Sequence, residues 1–153
     1  MKKEYYIQGC RYLLIVLWIY AAGSKLWFYT AFKIQLSRQL LPQRSIPVLQ
    51  WLIPAIEITA VVLLSFQRTL GKGFLLTFLL MLTFTVYIGL GLAHVYDKVP
   101  CSCGGILGKL GWRSHFAFNI LFTIIAFSGW RMTASKDEVF ARNKPVNSRY
   151  EAS

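Results

Sequence analysis

Charged residues are scarce in this sequence, and acidic residues are the scarcest of them. Only 15% of the 153 residues are charged, six residues are Asp or Glu, and 56% of the chain is hydrophobic. Ordinary soluble domains contain about 25% charged and about 45–50% apolar residues. The composition therefore excludes a typical soluble domain and favours a protein that lies in a lipid bilayer.

Cysteine is also rare, with three residues at positions 10, 101 and 103. Such a small and odd number excludes a scaffold held together by several disulfides. A nucleic-acid-binding motif is missing as well, although the formal net charge is +11. The basic residues are scattered through loops and tails instead of forming a stripe, so we expect no nucleic-acid partner.

Four apolar segments dominate the chain, and most of them approach the ~20 residues that a helix needs to cross a bilayer. They are residues 12–32, 48–66, 73–93 and 115–130. We therefore predict an all-α, integral membrane four-helix bundle formed by residues 1–130. The polar residues 131–153 lack apolar periodicity and are predicted to form a disordered cytoplasmic tail.

The first segment also resembles a secretory signal peptide, because a basic start precedes the apolar run. Ala21-Ala22-Gly23 would serve as its cleavage region. However, the apolar run resumes after Lys25, and this continuation suits a membrane span better than the start of a mature protein. We expect the first helix to remain uncleaved.

The distribution of Lys and Arg predicts the orientation of the bundle. Ten of these residues lie in the N-terminal segment, the second loop and the tail, against six in the first and third loops. Since basic residues are enriched on the cytoplasmic side, both termini are predicted to be cytoplasmic. We expect a multi-pass protein of the bacterial inner (plasma) membrane, with the loop 94–114 on the outer side.

That third loop contains the sequence Cys101-Ser102-Cys103, followed by two glycines. A disulfide across one intervening residue would close a small, strained ring, and strain makes a disulfide easier to reduce. We therefore predict that Cys101 and Cys103 are catalytic. Two free thiols and a static bridge remain alternatives. A metal site is not predicted, because Cys-x-Cys and two distant histidines supply the four ligands of a structural zinc poorly.

Two ionisable residues, Lys25 and Glu57, fall within the predicted spans. Such residues usually face the interior of a bundle and pair with each other. At ~1.5 Å per residue both lie at similar depths, so an ion pair is geometrically open. Its simplest role is to determine which helices are neighbours. The alternative is a polar pocket beneath the cysteine loop, with Asn119 as a third member, that serves a proton, a quinone or a substrate.

Several short motifs together resemble the MauE/DoxX group of redox-associated membrane proteins, over about residues 8 to 130. They are Ala22-Gly23-Ser24-Lys25-Leu26, Ile53-Pro54-Ala55-Ile56-Glu57, Val99-Pro100-Cys101-Ser102-Cys103-Gly104-Gly105 and Asn119. The resemblance implies a four-helix bundle similar to the membrane domain of vitamin K epoxide reductase. For the methylamine-utilisation branch it implies a role in maturing the disulfide-rich small subunit of methylamine dehydrogenase.

The sequence thus predicts a membrane protein that supports thiol–disulfide exchange or disulfide-bond maturation in periplasmic partner proteins, of which a thioredoxin-like protein is one candidate. Such a protein would be a thiol–disulfide oxidoreductase or an accessory factor, and the sequence does not decide between them. No cofactor is identified, although a quinone is compatible with the predicted pocket. The alternative is a non-enzymatic subunit that docks or stabilises a larger envelope assembly. A transporter is disfavoured, because four short spans show no inverted repeat.

Overall fold

The computed structural model describes residues 2–37, 42–93 and 112–142 of the chain. Within these ranges every regular element is helical. The α-helices are α1 (Lys2–Trp27), α2 (Tyr29–Ser37), α3 (Ile46–Ser65), α4 (Leu70–Leu92) and α5 (Trp112–Arg142). Short 3-10 turns, Gln43–Ser45 and Gln67–Thr69, precede α3 and α4.

Four of the helical segments are long and apolar enough to cross a membrane. They are Lys2–Trp27, Ile46–Ser65, Gln67–Leu92 and Arg113–Ser135. Each span contains an apolar stretch of 18 residues, and at most 44% of that stretch is buried inside the protein. Large apolar side chains therefore point outward, as a lipid environment requires. The predicted all-α membrane bundle of four spanning helices is confirmed, whereas the side on which the termini lie remains a prediction.

The first span differs from its predicted boundaries of residues 12–32. Helix α1 begins at Lys2 and ends at Trp27, and a single turn residue, Phe28, separates it from α2. The backbone N–H of Phe28 still donates to Ser24 at 3.0 Å, and that of Phe32 donates to Phe28 at 2.9 Å. The break is therefore a local distortion of a continuing helical path.

The last helix is longer than the sequence predicts. Residues 131–142 continue α5, although the prediction placed them in a disordered tail that begins at residue 131. No glycine or proline occurs between Gly129 and Pro145, so nothing in the backbone stops the helix there. Lys3 also donates to the hydroxyl of Ser135 at 3.2 Å and connects this part of α5 to α1. Residues 143–153 of the predicted tail lie outside the described residues.

The spanning helices form a ring in which α1 and α4 each pack against both α3 and α5. The largest fully buried apolar side chains fill its centre and are Trp18, Phe74, Leu14, Leu64 and Ile88.

Successive spans alternate in direction. We call the end with the start of α1 and the end of α3 the N-terminal end. The end where α4 stops at Leu92 and α5 starts at Trp112 is the loop end.

Arg11 joins α1 to the last turn of α3 at the N-terminal end. Its Nε donates to the carbonyl oxygen of Leu64 at 2.7 Å, and its Nη2 donates to that of Ser65. The last carbonyls of a helix have no partner within the helix. A cation at that position also interacts favourably with the helix dipole. Arg11 therefore caps α3 and fixes its end against α1.

Two glycines permit close approach of helices near the same end. A Cβ atom added to Gly73 of α4 would lie 2.8 Å from the backbone nitrogen of Leu64 and 2.9 Å from the carbonyl carbon of Leu63. A Cβ atom on Gly129 of α5 would overlap the ring of Phe74. Small residues at such contacts are typical of membrane helices, which associate through close packing of their backbones.

We predict that Gly73→Ala destabilises the bundle, because the added methyl group meets backbone atoms of α3 that no side-chain rotation can move. Overpacking of this kind costs about 1–3 kcal/mol. Thermal unfolding in detergent would measure the effect. Gly9→Ala in α1 is the matched control, since a Cβ atom there has no neighbour within 4 Å. A melting temperature of Gly73→Ala at or above that of the wild type would contradict the proposed tight contact.

Candidate functional site

A buried ion pair connects α1 to α3 in the half of the bundle nearer the loop end. The Nζ atom of Lys25 lies 2.7 Å from Oε1 of Glu57, and the two residues are 4% and 1% exposed. Nζ also donates to the carbonyl oxygen of Ala21, one turn earlier in α1, at 3.3 Å. The ion pair that the depth argument left geometrically open is therefore present.

The position of each partner follows from its helix. Lys25 lies in the last turn of α1, where a cation is favoured by the helix dipole. Glu57 lies near the middle of α3, one turn after the internal Pro54. An unpaired charge at this depth would be costly, whereas the pair presents no net charge to its surroundings. The contact therefore requires α1 and α3 to be neighbours.

A small internal cavity of about 30 Å³ lies beside the ion pair and is lined by residues of four helices. Its polar lining consists of Lys25, Glu57, Asn119 and His115, and its remaining walls are mainly apolar and aromatic. The structure thus brings together the three residues that the sequence placed in one polar pocket. Their functional role remains a prediction.

His115 is the member of this cavity that the sequence reasoning did not assign to it. The sequence places it at the start of the fourth span and makes it one of the two histidines too distant from the cysteines for a zinc site. In the structure it is 4% exposed and lies one turn before Asn119 on α5. Residues four apart share one face of a helix. The spacing of His115 and Asn119 was therefore the signal that would have identified it.

Several polar atoms of the cavity have no hydrogen-bond partner among the described residues. They are Oε2 of Glu57, both ring nitrogens of His115 and Nδ2 of Asn119. Buried polar atoms are almost always hydrogen-bonded, and each one left unpaired costs about 1–3 kcal/mol. A volume of about 30 Å³ has room for a water molecule or an atom group of similar size. These atoms are therefore available to hydrogen-bond a water molecule or another small polar group in the cavity.

Neighbouring polar contacts hold the surrounding helices in place. Nε1 of Trp18 donates to the hydroxyl of Thr77 at 3.2 Å, and Thr77 is fully buried. The hydroxyls of Thr85 and Thr123 lie 3.1 Å apart and connect α4 to α5. Thr85 thus contributes to the packing of α4 against α5. The hydroxyl of Thr83 donates to a carbonyl of its own helix instead.

Cys101 and Cys103, the predicted catalytic residues, lie outside the described residues. The segment that contains them connects the end of α4 to the start of α5, and both of these helix ends belong to the loop end. His115 lies in the first turn of α5. The polar cavity is therefore in the half of the bundle from which the cysteine segment departs.

Cys10 is the one cysteine that the described ranges contain, and it forms no disulfide there. It is 8% exposed and belongs to the hydrophobic core of the N-terminal end. It precedes Lys25 by fifteen residues of α1, which corresponds to roughly 22 Å. This distance is consistent with the interpretation of Cys10 as a bystander.

Within residues 2–37, 42–93 and 112–142, no group of three or more His, Cys, Asp or Glu side chains is placed to hold a metal ion.

Comparison with known families gives one match. The family model described as methylamine utilisation protein MauE matches residues 3–132. No curated protein and no solved structure matches the chain. The MauE part of the resemblance is therefore confirmed over slightly more of the chain than residues 8 to 130, and the DoxX part remains a prediction.

We predict that Glu57→Gln strongly destabilises the protein, because it leaves the ammonium group of Lys25 buried without a counter-charge. Removing one partner of a buried ion pair typically costs roughly 3–5 kcal/mol. Combining Lys25→Met with Glu57→Gln removes both charges and should recover much of the lost stability. Thermal unfolding in detergent of the wild type, the two single variants and the double variant completes a double-mutant cycle. A double variant whose loss of stability equals the sum of the two single losses would show that the pair contributes no coupling energy.

Proposed function

The chain belongs to the family of methylamine utilisation protein MauE, and on this basis we propose that it supports thiol–disulfide exchange or disulfide-bond maturation in periplasmic partner proteins. The observation that carries the proposal is the sequence Cys101-Ser102-Cys103 in the connection between α4 and α5 of a membrane bundle. Two cysteines this close in sequence, when joined as a disulfide, can exchange with a partner's thiols through a mixed disulfide.

The proposed reaction passes two electrons and two protons from a partner protein to the pair. A thiolate of the partner attacks the Cys101–Cys103 disulfide, which forms a mixed disulfide and releases one thiol of the pair. The second thiol of the partner then resolves the mixed disulfide and leaves the partner oxidised and the pair reduced. An electron acceptor must reoxidise the pair before the next cycle. The same steps in reverse would reduce a partner disulfide.

The polar cavity would support this site from within the bundle. We propose that Lys25, Glu57 and Asn119 act as the supporting pocket, together with His115. His115 and Asn119 begin the helix that directly follows the cysteine segment. Groups that hydrogen-bond within a low-dielectric interior interact more strongly than they would in water. The cavity is therefore suited to hold a polar reactant or a proton close to the loop end.

The proposed topology puts both termini in the cytoplasm and the cysteine segment on the outer side of the bacterial inner membrane. This orientation follows from the distribution of Lys and Arg. It would expose the cysteine pair to the oxidising compartment in which disulfides form and persist. The process that the family description names, methylamine utilisation, is the one in which we propose that the protein acts.

A second candidate is a non-enzymatic membrane subunit that docks or stabilises a larger envelope assembly. The observation that favours it is the length of α5, which continues to Arg142 although the apolar span ends at Ser135. A helix that extends past the bilayer offers a surface to another protein. In this case the cysteine pair would not be required for function.

The topology predicts that a membrane-impermeant maleimide labels the cysteine pair in intact, reduced cells. The variant with Cys101→Ser and Cys103→Ser should remain unlabelled, because Cys10 lies in the core at the other end. Adding Arg68→Cys to that variant creates the matched control: Arg68 is exposed between α3 and α4, so its replacement should react only after permeabilisation. Labelling of the wild type only in broken cells would reverse the orientation and overturn the redox proposal.

We further predict that replacing one cysteine of the pair traps a covalent complex with the physiological partner. In the reverse direction the thiolate of Cys101 attacks a partner disulfide, and the thiol of Cys103 is the group that would resolve the mixed disulfide, so its loss leaves the complex in place. Cys103→Ser leaves Cys101, the thiol that we expect to attack. Non-reducing electrophoresis after rapid alkylation should show a complex that disappears on reduction, with Cys10→Ser as the control that traps nothing.

Two results would contradict the redox function. One is a permanently oxidised pair whose loss lowers stability and traps no partner, as a structural bridge would. The other is full activity of the variant with Cys101→Ser and Cys103→Ser in cells that need the protein, as a docking subunit predicts.

A further inference from the structure

A large apolar groove lies on the outer surface of the bundle between α1 and α5. Its volume is about 680 Å³, and its walls include Gly9, Leu13, Val16 and Phe122. Val16 is 67% exposed, and a Cβ atom on Gly9 would have no neighbour within 4 Å. From Gly9 to Tyr20 the groove extends roughly 16 Å along α1. This length is about half of the ~30 Å hydrocarbon core, so the groove has the depth of one leaflet.

Exposed tyrosines indicate where this groove begins relative to the membrane surface. Tyr5, Tyr6 and Tyr12 are 78%, 46% and 62% exposed and lie in the first three turns of α1. Tyrosine is enriched at the level of the lipid head groups, because its ring is apolar and its hydroxyl is polar. The groove therefore begins beside the head groups at the N-terminal end and extends into the hydrocarbon of that leaflet.

Two lysines lie between the groove and the aqueous phase at the same end. Lys2 is exposed and precedes Gly9 by seven residues, or nearly two turns, so it continues the face of α1 that lines the groove. Lys3 is also exposed and donates to the hydroxyl of Ser135 at 3.2 Å, which places its ammonium group where α1 meets α5. A hydroxyl carries no charge, so this contact does not neutralise Lys3. Both lysines can therefore attract an anion to the N-terminal end of the groove.

The surrounding surface is basic as well. Residues 2–11, 66–72 and 128–135 belong to the N-terminal end and contain one acidic residue, Glu4, against six basic residues. The basic residues are Lys2, Lys3, Arg11, Arg68, Lys72 and Arg131. Residues 136–142 add two basic and two acidic residues, which leaves the balance unchanged.

This charge decides between two occupants of the groove. Copies of one chain have the same orientation in a membrane, so a second copy in the groove would bring two basic ends together. Like charges repel, and the repulsion disfavours that contact. A partner with an acyl chain and a negative head group matches both the apolar groove and the basic end.

We propose that the groove and the two lysines bind one anionic phospholipid from the leaflet at the N-terminal end, with an acyl chain in the groove and the phosphate beside Lys2 and Lys3. The chain makes dispersion contacts along the apolar walls. Each basic residue near the membrane surface strengthens the binding of an anionic lipid about fivefold. The bound lipid fills the space between α1 and α5 and stabilises their contact. The proposal does not involve the cysteine segment and is independent of the redox function.

Native mass spectrometry of the full chain tests the proposal. The protein is released from detergent that contains equal amounts of phosphatidylglycerol and phosphatidylethanolamine with the same acyl chains, so that the two lipids differ in net charge and not in their hydrocarbon part. We expect one phosphatidylglycerol per chain to be retained at least about tenfold more often than phosphatidylethanolamine. Soluble glycerol phosphate, which has the anion without the chains, should not displace it.

A charge variant and a matched control test the role of the lysines. Lys2→Gln combined with Lys3→Gln should lower the preference for phosphatidylglycerol roughly tenfold or more, because both charges beside the groove are removed. Arg68→Gln combined with Lys72→Gln is the control. It removes two exposed cations from the same end, on the opposite side of the ring between α3 and α4, and should leave the preference unchanged.

A second pair of variants tests the groove. Val16→Phe should reduce the retention of both lipids, because the larger side chain fills the groove from an exposed position. Leu79→Phe, at an exposed position of α4 outside the groove, is the control and should retain them normally. Thermal unfolding in detergent gives an independent readout. Added phosphatidylglycerol should raise the melting temperature of the wild type and of Leu79→Phe, and not that of Val16→Phe.

Four outcomes would overturn the proposal. Equal retention of the two lipids by the wild type would exclude an anionic site, and displacement by glycerol phosphate would remove the role of the groove. Unchanged retention by Val16→Phe would place the lipid elsewhere. An equal effect of the control at Arg68 and Lys72 would attribute the preference to the general charge of this end. A dimer in the spectrum that Val16→Phe abolishes would identify a second copy as the occupant instead.

Discussion

The ion pair between Lys25 and Glu57 is the contact on which the rest of this bundle depends. In a bilayer, apolar side chains gain little by leaving lipid for the protein interior, so hydrophobic burial does not decide which helices meet. A charge in the hydrocarbon region does decide it, because the unpaired state is so costly. With a separation of 2.7 Å and almost no exposure, the pair brings α1 and α3 together and determines the order of the ring.

The same contact creates the polar cavity. Once two charges occupy the interior, nearby polar groups of α5 lie in an environment from which lipid is excluded and in which unsatisfied hydrogen bonds are expensive. His115 and Asn119 are buried there with polar atoms that have no partner in the described part of the chain. These atoms can pair with a small polar group, and this is the physical basis of the proposal that the cavity supports the function.

Packing elsewhere follows the rules of membrane helices. Gly73 allows the start of α4 to approach the backbone of α3, and Gly129 makes room for the ring of Phe74. Arg11 satisfies the last carbonyls of α3 at the N-terminal end. These contacts hold the bundle at one end, as the ion pair does nearer the other.

The sequence by itself determined the fold class, because the length of an apolar span is a property of one segment at a time. The depths of Lys25 and Glu57 left an ion pair between them geometrically open, and short local motifs indicated the MauE family. The continuation of α5 to Arg142 also accords with the sequence, since no glycine or proline interrupts it. Only the tertiary structure joined the two charges and placed His115 in the cavity. These two features depend on how one helix is rotated against its neighbours, and hydropathy does not encode that rotation when lipid and protein interior are equally apolar.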